Sequence, residues 1–426
     1  MYSYLFAAAL IFTAGFVEAQ VPQKEKKFEG QAPVLRVDTS PRPVQIQHTS
    51  TFHFPEMGVS LSNQFEGARL NGVLQHEDTL IAWITPENTP INPSPWYAFK
   101  IWSAQPREIY VKLTYQDARH RYYPKLSQDG RHWTALDSAR YEEFDKGEAD
   151  FGVGSLPEYV RLRLPVGPDT LWVAGQELQT STQVYAWMDS LATRPFITTE
   201  IFGKTRLGRP MLALTLGEAK LKDKVIVVIS RQHPPEVTGY LAMKAFIETL
   251  AGNSQLARRF RKEYTVLAIP LMNPDGVDMG HWRHAAGGVD LNRDWAQQHH
   301  PEIRAVKNML DKKLSEENGK LYFGIDFHST WDDIFYTLDS TVITHAPGLV
   351  EKWLNGIEQT IPDYEVNAKA NISSDGVSKN FLYNTYRAES LVYEVGDNTP
   401  RPFVRQKGMV AAEQLMKLLL GKDYLR

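Results

Sequence analysis

The chain has 426 residues, of which 42% are hydrophobic and 23% are charged, and its formal net charge is −3. This length is enough for two folded domains, and the composition excludes global disorder and a collagen-like chain. The small negative charge gives no electrostatic basis for binding nucleic acid or an anionic membrane surface, so a small or peptidic partner is expected. The chain has no cysteine, which excludes disulfides, cysteine nucleophiles and thiolate metal sites. Any metal ion must therefore be held by His, Asp or Glu.

The first residues have the pattern of a secretory signal peptide, residues 1–19. An apolar stretch at 5–16 is followed by Val17-Glu-Ala19, which matches a small-residue cleavage site. The apolar stretch is too short for a membrane span, which needs about 20 residues. No later stretch is apolar enough to cross a bilayer, so the sequence predicts a secreted or periplasmic protein without a span in its mature form. Residues 20–50, rich in Lys, Gln and Pro, predict an extended linker or loose arm.

Residues 51–178 predict an all-β domain. Runs of β-branched and aromatic residues recur with turn signals between them, at 79–84, 96–101, 108–115 and 159–164. Because no helical pattern interrupts these runs, they favour a β-sandwich. The aromatic residues are expected to form the core of the sandwich rather than a carbohydrate-binding platform.

Residues 179–426 predict an α/β domain, because strand and helix patterns alternate along them. Strands are predicted at 224–230, 264–270, 321–326 and 390–395, and helices at 182–191, 238–250, 302–317 and 404–420. This order predicts a three-layer α/β/α domain on a largely parallel, mixed sheet. Ligands in such folds bind beyond the carboxyl ends of the strands, where His233, Asn273, His328 and Glu394 are placed.

A set of short motifs follows these strands. His233 and Glu236, three residues apart, suit a zinc ion that needs three protein ligands and one open position, although this pair alone also occurs by chance. Four further motifs follow in chain order: Asn273-Pro-Asp-Gly276, Asp290-Leu-Asn-Arg293, Asp326-Phe-His-Ser329 and Tyr393-Glu-Val-Gly-Asp397. In residues and order, these motifs resemble those of the M14 zinc metallocarboxypeptidases, or funnelins. The resemblance extends from about residue 183 to the C-terminus.

The resemblance implies a site for one Zn²⁺ per chain. His233, Glu236 and His328 would bind the ion, and Asp290 would accept a hydrogen bond from His233 and orient its ring. Glu394 ends an apolar strand, where an ionisable carboxylate is costly unless it has a role. By resemblance, Glu394 is the general base that takes a proton from the water at the metal and delivers it to the leaving amine.

The resemblance also implies which residues bind the substrate. Arg293, with Asn292 beside it, matches the family's clamp for the free carboxylate, which a guanidinium can hold by a bidentate contact. Arg283 matches the electrophilic arginine that stabilises the oxyanion as it forms. His281 and His284, which flank Arg283, are expected to be solvated loop residues.

Lys379 falls at the family's specificity-pocket position when residues are counted back without gaps from Glu394. A Lys there would favour an acidic terminal residue such as Glu. A register change of one residue would instead place Ser378 or Asn380 at this position.

The sequence lacks one family feature at its expected place. Digestive members carry a substrate-capping Tyr about twenty residues before the catalytic Glu, and the corresponding stretch here, residues 371–375, contains no Tyr. This hydrogen-bond donor is therefore absent or supplied elsewhere, with Tyr364 and Tyr383 as candidates.

The first domain resembles the β-sandwich that precedes the peptidase domain in the cytosolic carboxypeptidase subfamily, whose members often remove glutamates. The matching segments are Phe65-Glu-Gly-Ala-Arg69, Asn92-Pro-Ser-Pro-Trp-Tyr-Ala-Phe99 and Tyr123-Pro-Lys-Leu-Ser-Gln-Asp-Gly130. The predicted function is hydrolysis of the C-terminal residue of peptides, with a preference for acidic residues. Two alternatives remain at this stage: a zinc amidohydrolase of the acylase or desuccinylase kind, and a catalytically inactive binding protein. The sequence does not predict the oligomeric state.

Overall fold

The computed structural model describes residues 28–32, 34, 36–148, 155–218, 223–316, 318–370 and 376–421. The predicted signal peptide, residues 1–19, lies outside these ranges. Within them, no helix combines the length and the apolar character that a membrane span requires.

The first half of the chain forms a β-sandwich. Its strands are β1 Thr51–Phe54, β2 Val59–Ser62, β3 Gly72–His76, β4 Thr79–Ile84, β5 Ala98–Ser103, β6 Arg107–Tyr115, β7 Lys125–Ser127, β8 Thr134–Ala135, β9 Tyr141–Phe144, β10 Gly147–Glu148, β11 Ser155–Leu156, β12 Tyr159–Val166 and β13 Leu171–Ala174. A six-stranded sheet, β1-β2-β5-β13-β7-β8, and a five-stranded sheet, β3-β4-β6-β12-β9, share one hydrophobic core, and β10 and β11 form a separate ribbon.

The sandwich core follows from alternation along the strands. In β6, Ile109, Val111 and Leu113 are buried, and the residues between them are less so. Strand β12 runs antiparallel to β6, and its buried Leu162 lies opposite Val111. Side chains of successive residues point to opposite faces of a strand, so this alternation puts one apolar face inside.

The second half contains an eight-stranded sheet and helices. The strands are β14 Ile197–Lys204, β15 Pro210–Leu216, β16 Lys224–Ser230, β17 Thr265–Ile269, β18 Lys320–Thr330, β19 Ile334–Thr337, β20 Ala368–Ala370 and β21 Glu389–Gly396. The helices are α1 Ser181–Ala192, α2 Val237–Leu250, α3 Gln255–Glu263, α4 Pro274–Asp278, α5 Pro301–Glu316, α6 Leu349–Thr360, α7 Ser378–Tyr386 and α8 Arg401–Leu420, and short 3₁₀ turns lie at Ser138–Arg140 and Leu291–Arg293. The predicted α/β domain on a mixed sheet is confirmed.

The sheet order is β14-β15-β17-β16-β18-β21-β19-β20, and the four central strands, β17, β16, β18 and β21, run parallel. Strand β16 is apolar along almost its whole length because both faces of a central parallel strand are covered. Helices α1, α2, α3, α6 and α8 contribute to the core on one face of the sheet, and α5 and α7 to the core on the other. The result is a three-layer arrangement.

The segment before the sandwich is docked on the rest of the protein. Thr39 is buried, the backbone N–H of Arg42 donates to the carbonyl of Gly287 at 2.8 Å, and that of Gln45 donates to the carbonyl of Glu87 at 2.7 Å. Residues 36–50 therefore contact both halves of the chain. The domain division at residues 178 and 179 stays a prediction, and it falls between the end of β13 and the start of α1.

Candidate metal centre and active site

Three parallel strands bring the candidate residues to one edge of the sheet. His233 lies three residues after the end of β16, and Glu236 is the residue before α2. His328 on β18 is paired directly with Glu394 on β21. Carboxyl ends of parallel strands meet at the same edge, so residues separated by more than 150 positions become neighbours here.

His233, Glu236 and His328 form a buried group with the donor atoms that zinc prefers. One ligand atom from each lies within 4.8 Å of the others. Nδ1 of His233 lies 2.7 Å from Oε1 of Glu236, and Nδ1 of His328 lies 2.7 Å from Oε2 of the same carboxylate. Two imidazole nitrogens and one carboxylate are a zinc-binding set that leaves a fourth position open, so these residues fit the predicted ion.

The remaining nitrogen of each imidazole faces another carboxylate. Nε2 of His233 lies 2.8 Å from Oδ1 of Asp290, and Nε2 of His328 lies 2.9 Å from Oδ2 of Asp326. Such contacts fix the tautomer and orientation of a metal-binding histidine. The contact of Asp326 was not predicted from the sequence. Residues two apart in a strand share a face, so its position two before His328 could have indicated this contact.

The charges of this cluster shift its pKa values. Burial alone would lower the pKa of His328, but the carboxylates of Asp326 and Glu236 outweigh it and raise that pKa well above its ordinary value. Burial alone would raise the pKa of Glu236, but the two histidines hold it below its ordinary range. Without a metal, His328 retains a proton that a bound cation would displace.

Glu394 is buried beside this group, at 8% exposure. Its Oε2 has no hydrogen-bond partner in the described part of the chain. Burial raises the pKa of Glu394 to about 7. A carboxylate with a free oxygen and a pKa near neutrality is suited to accept and release a proton.

Two arginines meet at Asp290 on another side of the same pocket. Nε of Arg283 donates to Oδ2 of Asp290 at 2.7 Å, and NH1 of Arg293 lies 3.5 Å from the same oxygen. Arg283, Arg293 and Asn292 all line the pocket that contains Glu394. Burial lowers the pKa of Arg293, although Asp290 opposes the shift. The pocket thus holds guanidinium groups suited to a carboxylate or an oxyanion.

Lys379, in the first turn of α7, lines the pocket, whereas its two neighbours are not among the lining residues. It is 2% exposed, and burial lowers its pKa to about 8. Its Nζ donates to Oδ1 of Asn380 at 3.0 Å. Ser378 instead bonds Asp326 through its hydroxyl and Asn292 through its backbone N–H.

The two histidines beside Arg283 are not solvated, so that prediction is wrong. His281 and His284 are 0% and 5% exposed. Nδ1 of His281 faces the carbonyl of His284 at 2.9 Å, and Nδ1 of His284 faces Oδ1 of Asn88 at 2.7 Å. They are buried because the loop that carries them packs against the β-sandwich.

Of the tyrosines, Tyr336 on β19 lines the pocket, and Tyr364 and Tyr383 are not among the lining residues. The hydroxyl of Tyr364 donates to Asp333 at 2.9 Å. Residues 371–375, where the family's capping Tyr was sought, lie outside the described residues. Tyr336 was not predicted from the sequence, because its strand has only four residues and no motif marks it.

The N-terminal segment, defined as residues 28–32 and Val34, also borders the pocket. Gln31, Ala32 and Val34 are lining residues, and the backbone N–H of Gln31 donates to the hydroxyl of Tyr336 at 2.6 Å. Phe28 packs with Tyr336 in a small apolar cluster. The free volume that remains in the pocket is about 40 Å³. Sequence patterns did not indicate this contact.

Comparisons with known proteins agree with this geometry. A family model described as zinc carboxypeptidase matches residues 184–404, more than half of the chain. The chain is 31% identical to cytosolic carboxypeptidase 6 of Caenorhabditis elegans over 174 residues, covering 38% of this chain and 37% of that protein. It is 27% identical to an uncharacterized protein of Zymomonas mobilis over 260 residues, covering 60% of this chain and 65% of the other. The chain thus spans less than two thirds of the length of these curated relatives.

The fold is shared with solved structures. The crystal structure of a metallo-carboxypeptidase from Burkholderia cenocepacia has a TM-score of 0.68 at 17% identity, covering 85% of this chain and 99% of that one. At this identity the likeness supports the fold. The family match shows that the chain belongs to the M14 zinc carboxypeptidase family, as predicted.

Proposed function

We propose that this protein is a zinc-dependent metallocarboxypeptidase that hydrolyses C-terminal residues from peptides. The observation that carries the proposal is the convergence of three kinds of group on one buried pocket: a His-Glu-His metal set, the carboxylate of Glu394 and the guanidinium groups of Arg283 and Arg293. An exopeptidase needs all three, because it must activate water, stabilise an oxyanion and recognise a free carboxylate.

His233, Glu236 and His328 would hold the ion. Zinc, when bound, supplies Lewis acidity that polarises a carbonyl and lowers the pKa of a water molecule. Glu394 acts as the general base: its unpartnered Oε2 accepts the proton of the attacking water and later delivers that proton to the leaving amine.

The other residues place and stabilise the peptide. Arg293 and Asn292 hold the terminal carboxylate, and this contact restricts cleavage to the end of the chain. Arg283 stabilises the negative charge that develops on the carbonyl oxygen. Asp290 orders this half of the site, because it contacts both arginines and His233.

A peptide screen tests this function. Purified protein is incubated with peptides that differ in their terminal residue, with and without a zinc chelator, and products are followed by mass spectrometry. We expect stepwise loss of C-terminal residues that stops on chelation. Glu394→Gln should retain zinc and lower kcat by about 10²–10⁴-fold, as expected for loss of a general base.

Two other outcomes would favour the alternatives. Hydrolysis of N-acyl amino acids without attack on peptides would indicate an amidohydrolase. If Glu394→Gln matched the wild type in peptide hydrolysis, the activity would belong to a contaminating enzyme, and the binding-protein alternative would return.

We propose further that Lys379 selects an acidic terminal residue. Its position in the pocket beside Val377 and Val392 supports a charge contact with little solvent screening. Because burial lowers the Lys379 pKa to about 8, the amine is charged below pH 8 and loses its charge above it. The ratio of kcat/KM for Glu-terminated over Leu-terminated peptides should therefore fall as pH rises through about 8.

The Lys379→Met variant should lower this ratio by about 10–100-fold at pH 7 and remove its pH dependence, because a hydrogen bond to a charged group contributes about 1.5–3 kcal/mol. Lys417→Met, at an exposed position of α8 outside the pocket lining, is the matched control and should retain the preference. Release of terminal Leu or Phe as readily as Glu by the wild type would refute the role of Lys379.

Secretion or periplasmic export is a separate part of the proposal. It is supported by the pattern of residues 1–19. The C. elegans relative is named a cytosolic carboxypeptidase, so location needs its own test. N-terminal sequencing of protein from its native host should begin at Gln20. A protein that starts at Met1 and fractionates with the cytosol would rule out export.

A further inference from the structure

The loop that carries Arg283 runs from the end of α4 to Asp290, and the β-sandwich encloses it. Trp282 in this loop is fully buried in the sandwich core, and its indole N–H donates to the carbonyl of Trp96 at 3.1 Å. Gly280 has φ +64°, and a Cβ there would lie 2.1 Å from the carbonyl oxygen of Ala68. The catalytic half of the chain thus inserts this loop into the other half.

One sandwich residue, Glu87, holds the backbone of the loop. It lies between β4 and β5 and is 0% exposed. Its Oε2 accepts the N–H of Trp282 at 2.7 Å, and its Oε1 accepts the N–H groups of Arg283 at 3.0 Å and His284 at 2.6 Å. Hydrogen bonds to an ionised carboxylate are among the strong ones, and three of them fix three consecutive peptide units.

The buried charge of Glu87 is stabilised by its surroundings. Burial would raise the pKa of Glu87, but His281, His284 and Arg69 and the backbone contacts hold it below its ordinary value. A buried carboxylate is costly unless it is paired and hydrogen-bonded, and here its bonds go to the loop of Arg283. The residue therefore resists displacement of that loop.

The contacts continue from Glu87 to the metal centre. Arg283, fixed at its backbone by Glu87, is fixed at its side chain by Asp290 through the 2.7 Å contact of Nε. Asp290 in turn lies 2.8 Å from Nε2 of His233. The guanidinium is held from both ends, one end in each half of the chain.

We propose that Glu87 is a positioning residue for Arg283, so that the β-sandwich supplies part of the scaffold of the active site. This inference rests on the proposed function, in which Arg283 stabilises the oxyanion. A displacement of about 1 Å in a group that acts on the transition state can cost about 10²-fold in rate. Loss of Glu87 should therefore lower kcat and have little effect on binding of the substrate in its ground state.

The test is Glu87→Gln, which keeps the size of the side chain but places an amide N–H₂ against backbone N–H donors. We expect kcat to fall by about 10–100-fold, with KM within about threefold and zinc content unchanged. In an Arg283→Ala background the same change should lower kcat no further, because a residue that acts only through Arg283 has no effect once its guanidinium is removed.

A matched control is Glu177→Gln. Glu177 also forms a contact between distant parts of the chain, a 2.7 Å ion pair with Arg401, but it does not touch the loop. Its variant should retain wild-type kcat. If Glu87→Gln does not fold, Asn88→Ala replaces it: Asn88 binds Gly288 and His284 of the same loop at 2.9 and 2.7 Å, and its loss should lower kcat in the same direction.

Amide hydrogen exchange gives a readout that does not depend on catalysis. Exchange at residues 282–284 should be slow in the wild type and faster in Glu87→Gln, with no change in Glu177→Gln. The positioning role would be overturned if Glu87→Gln left the exchange rates or kcat unchanged. It would also be overturned if the kcat losses of Glu87→Gln and Arg283→Ala were additive. If the wild type hydrolyses no peptide, the proposed function fails, and the exchange rates alone decide whether Glu87 holds the loop.

Discussion

Glu394 is a buried carboxylate whose Oε2 has no hydrogen-bond partner in the described part of the chain. Such a group is unfavourable for folding, because the ionised form loses its hydration without full compensation. Burial raises its pKa from the ordinary 4.5 to about 7. Ionising this carboxyl therefore requires more free energy in the folded protein than in the unfolded one. A general base needs a pKa near neutrality, and the burial that produces it lowers the stability of the folded protein.

This cost predicts how stability depends on pH in metal-free protein. A folded-state pKa above the unfolded one means that the contribution of Glu394 to stability is complete below about pH 4.5 and is lost as pH rises through 7. Glu394→Gln cannot ionise, so it should unfold at the same denaturant concentration as the wild type near pH 4.5. Above pH 7 it should be more stable by about 3 kcal/mol.

Urea unfolding of chelator-treated protein between pH 4.5 and 8 measures this difference. Glu351→Gln, on the exposed surface of α6, is the matched control and should follow the wild type at every pH. A Glu394→Gln variant whose stability parallels the wild type across the range would show that the carboxylate is not penalised by burial.

The contact between α2 and β18 sets the distance between two of the proposed metal ligands. Gly239 lies in the first turn of α2, and a Cβ there would lie 2.2 Å from the backbone oxygen of His328. Glu236 directly precedes α2, so the close approach of helix and strand brings Glu236 to His328. Backbone atoms cannot move aside as a flexible side chain can, and glycine is therefore required.

Gly239→Ala should force α2 away from β18. Although Ala favours a helix over Gly by about 1 kcal/mol, we expect a loss of about 1–3 kcal/mol from overpacking and a fall in zinc affinity of about tenfold or more. Competition with a chelating dye measures the affinity. Gly356→Ala in α6 is the control, because its Cβ would meet only the end of the Gln414 side chain. Equal zinc binding by both variants would contradict the argument.

The elements predicted correctly from the sequence are those whose hydrophobic pattern lies within one short run of residues. Strand β16 matches its prediction residue for residue, and α2 begins one residue earlier than predicted, because an apolar run and an amphipathic run determine them. Strand β19 and helix α7 were not predicted: β19 is short, and α7 lacks a strong helical pattern and is held by packing of Phe381 and Leu382 against the sheet.

The residues of the candidate site likewise fall into two groups, those that the sequence predicted and those that it did not. The proposed metal ligands belong to short motifs whose order along the chain indicates the family. Tyr336 and Glu87 belong to no motif, and their roles depend on which surfaces the two halves of the chain and the N-terminal segment bring together. Such contacts between distant residues leave no periodicity in a single sequence, so the chain alone could not indicate them.

At the scale of the whole molecule, distant parts of the chain meet at the pocket. The N-terminal segment borders the pocket, Asn367 donates from Nδ2 to the carbonyl of Phe28 at 2.9 Å, and Lys369 donates from Nζ to that of Glu29 at 3.1 Å. The free volume of about 40 Å³ is far below the roughly 300 Å³ of a small ligand pocket. We therefore expect that an outward movement of this segment makes room for a terminal residue.

Gly30→Ala tests this expectation. Gly30 has φ +68°, and a Cβ there would lie 2.4 Å from the Tyr336 hydroxyl, so Ala should displace the N-terminal segment. Because a larger fraction of molecules would then be open, KM for short peptides should fall by about 3–10-fold with kcat little changed. Gly58→Ala adds the same backbone strain at φ +59° but faces only the Arg107 side chain in the sandwich, and its KM should equal that of the wild type. If KM fell equally in both variants, general loosening of the fold rather than opening of the pocket would be responsible. An unchanged KM in Gly30→Ala would mean that the N-terminal segment does not hinder the substrate.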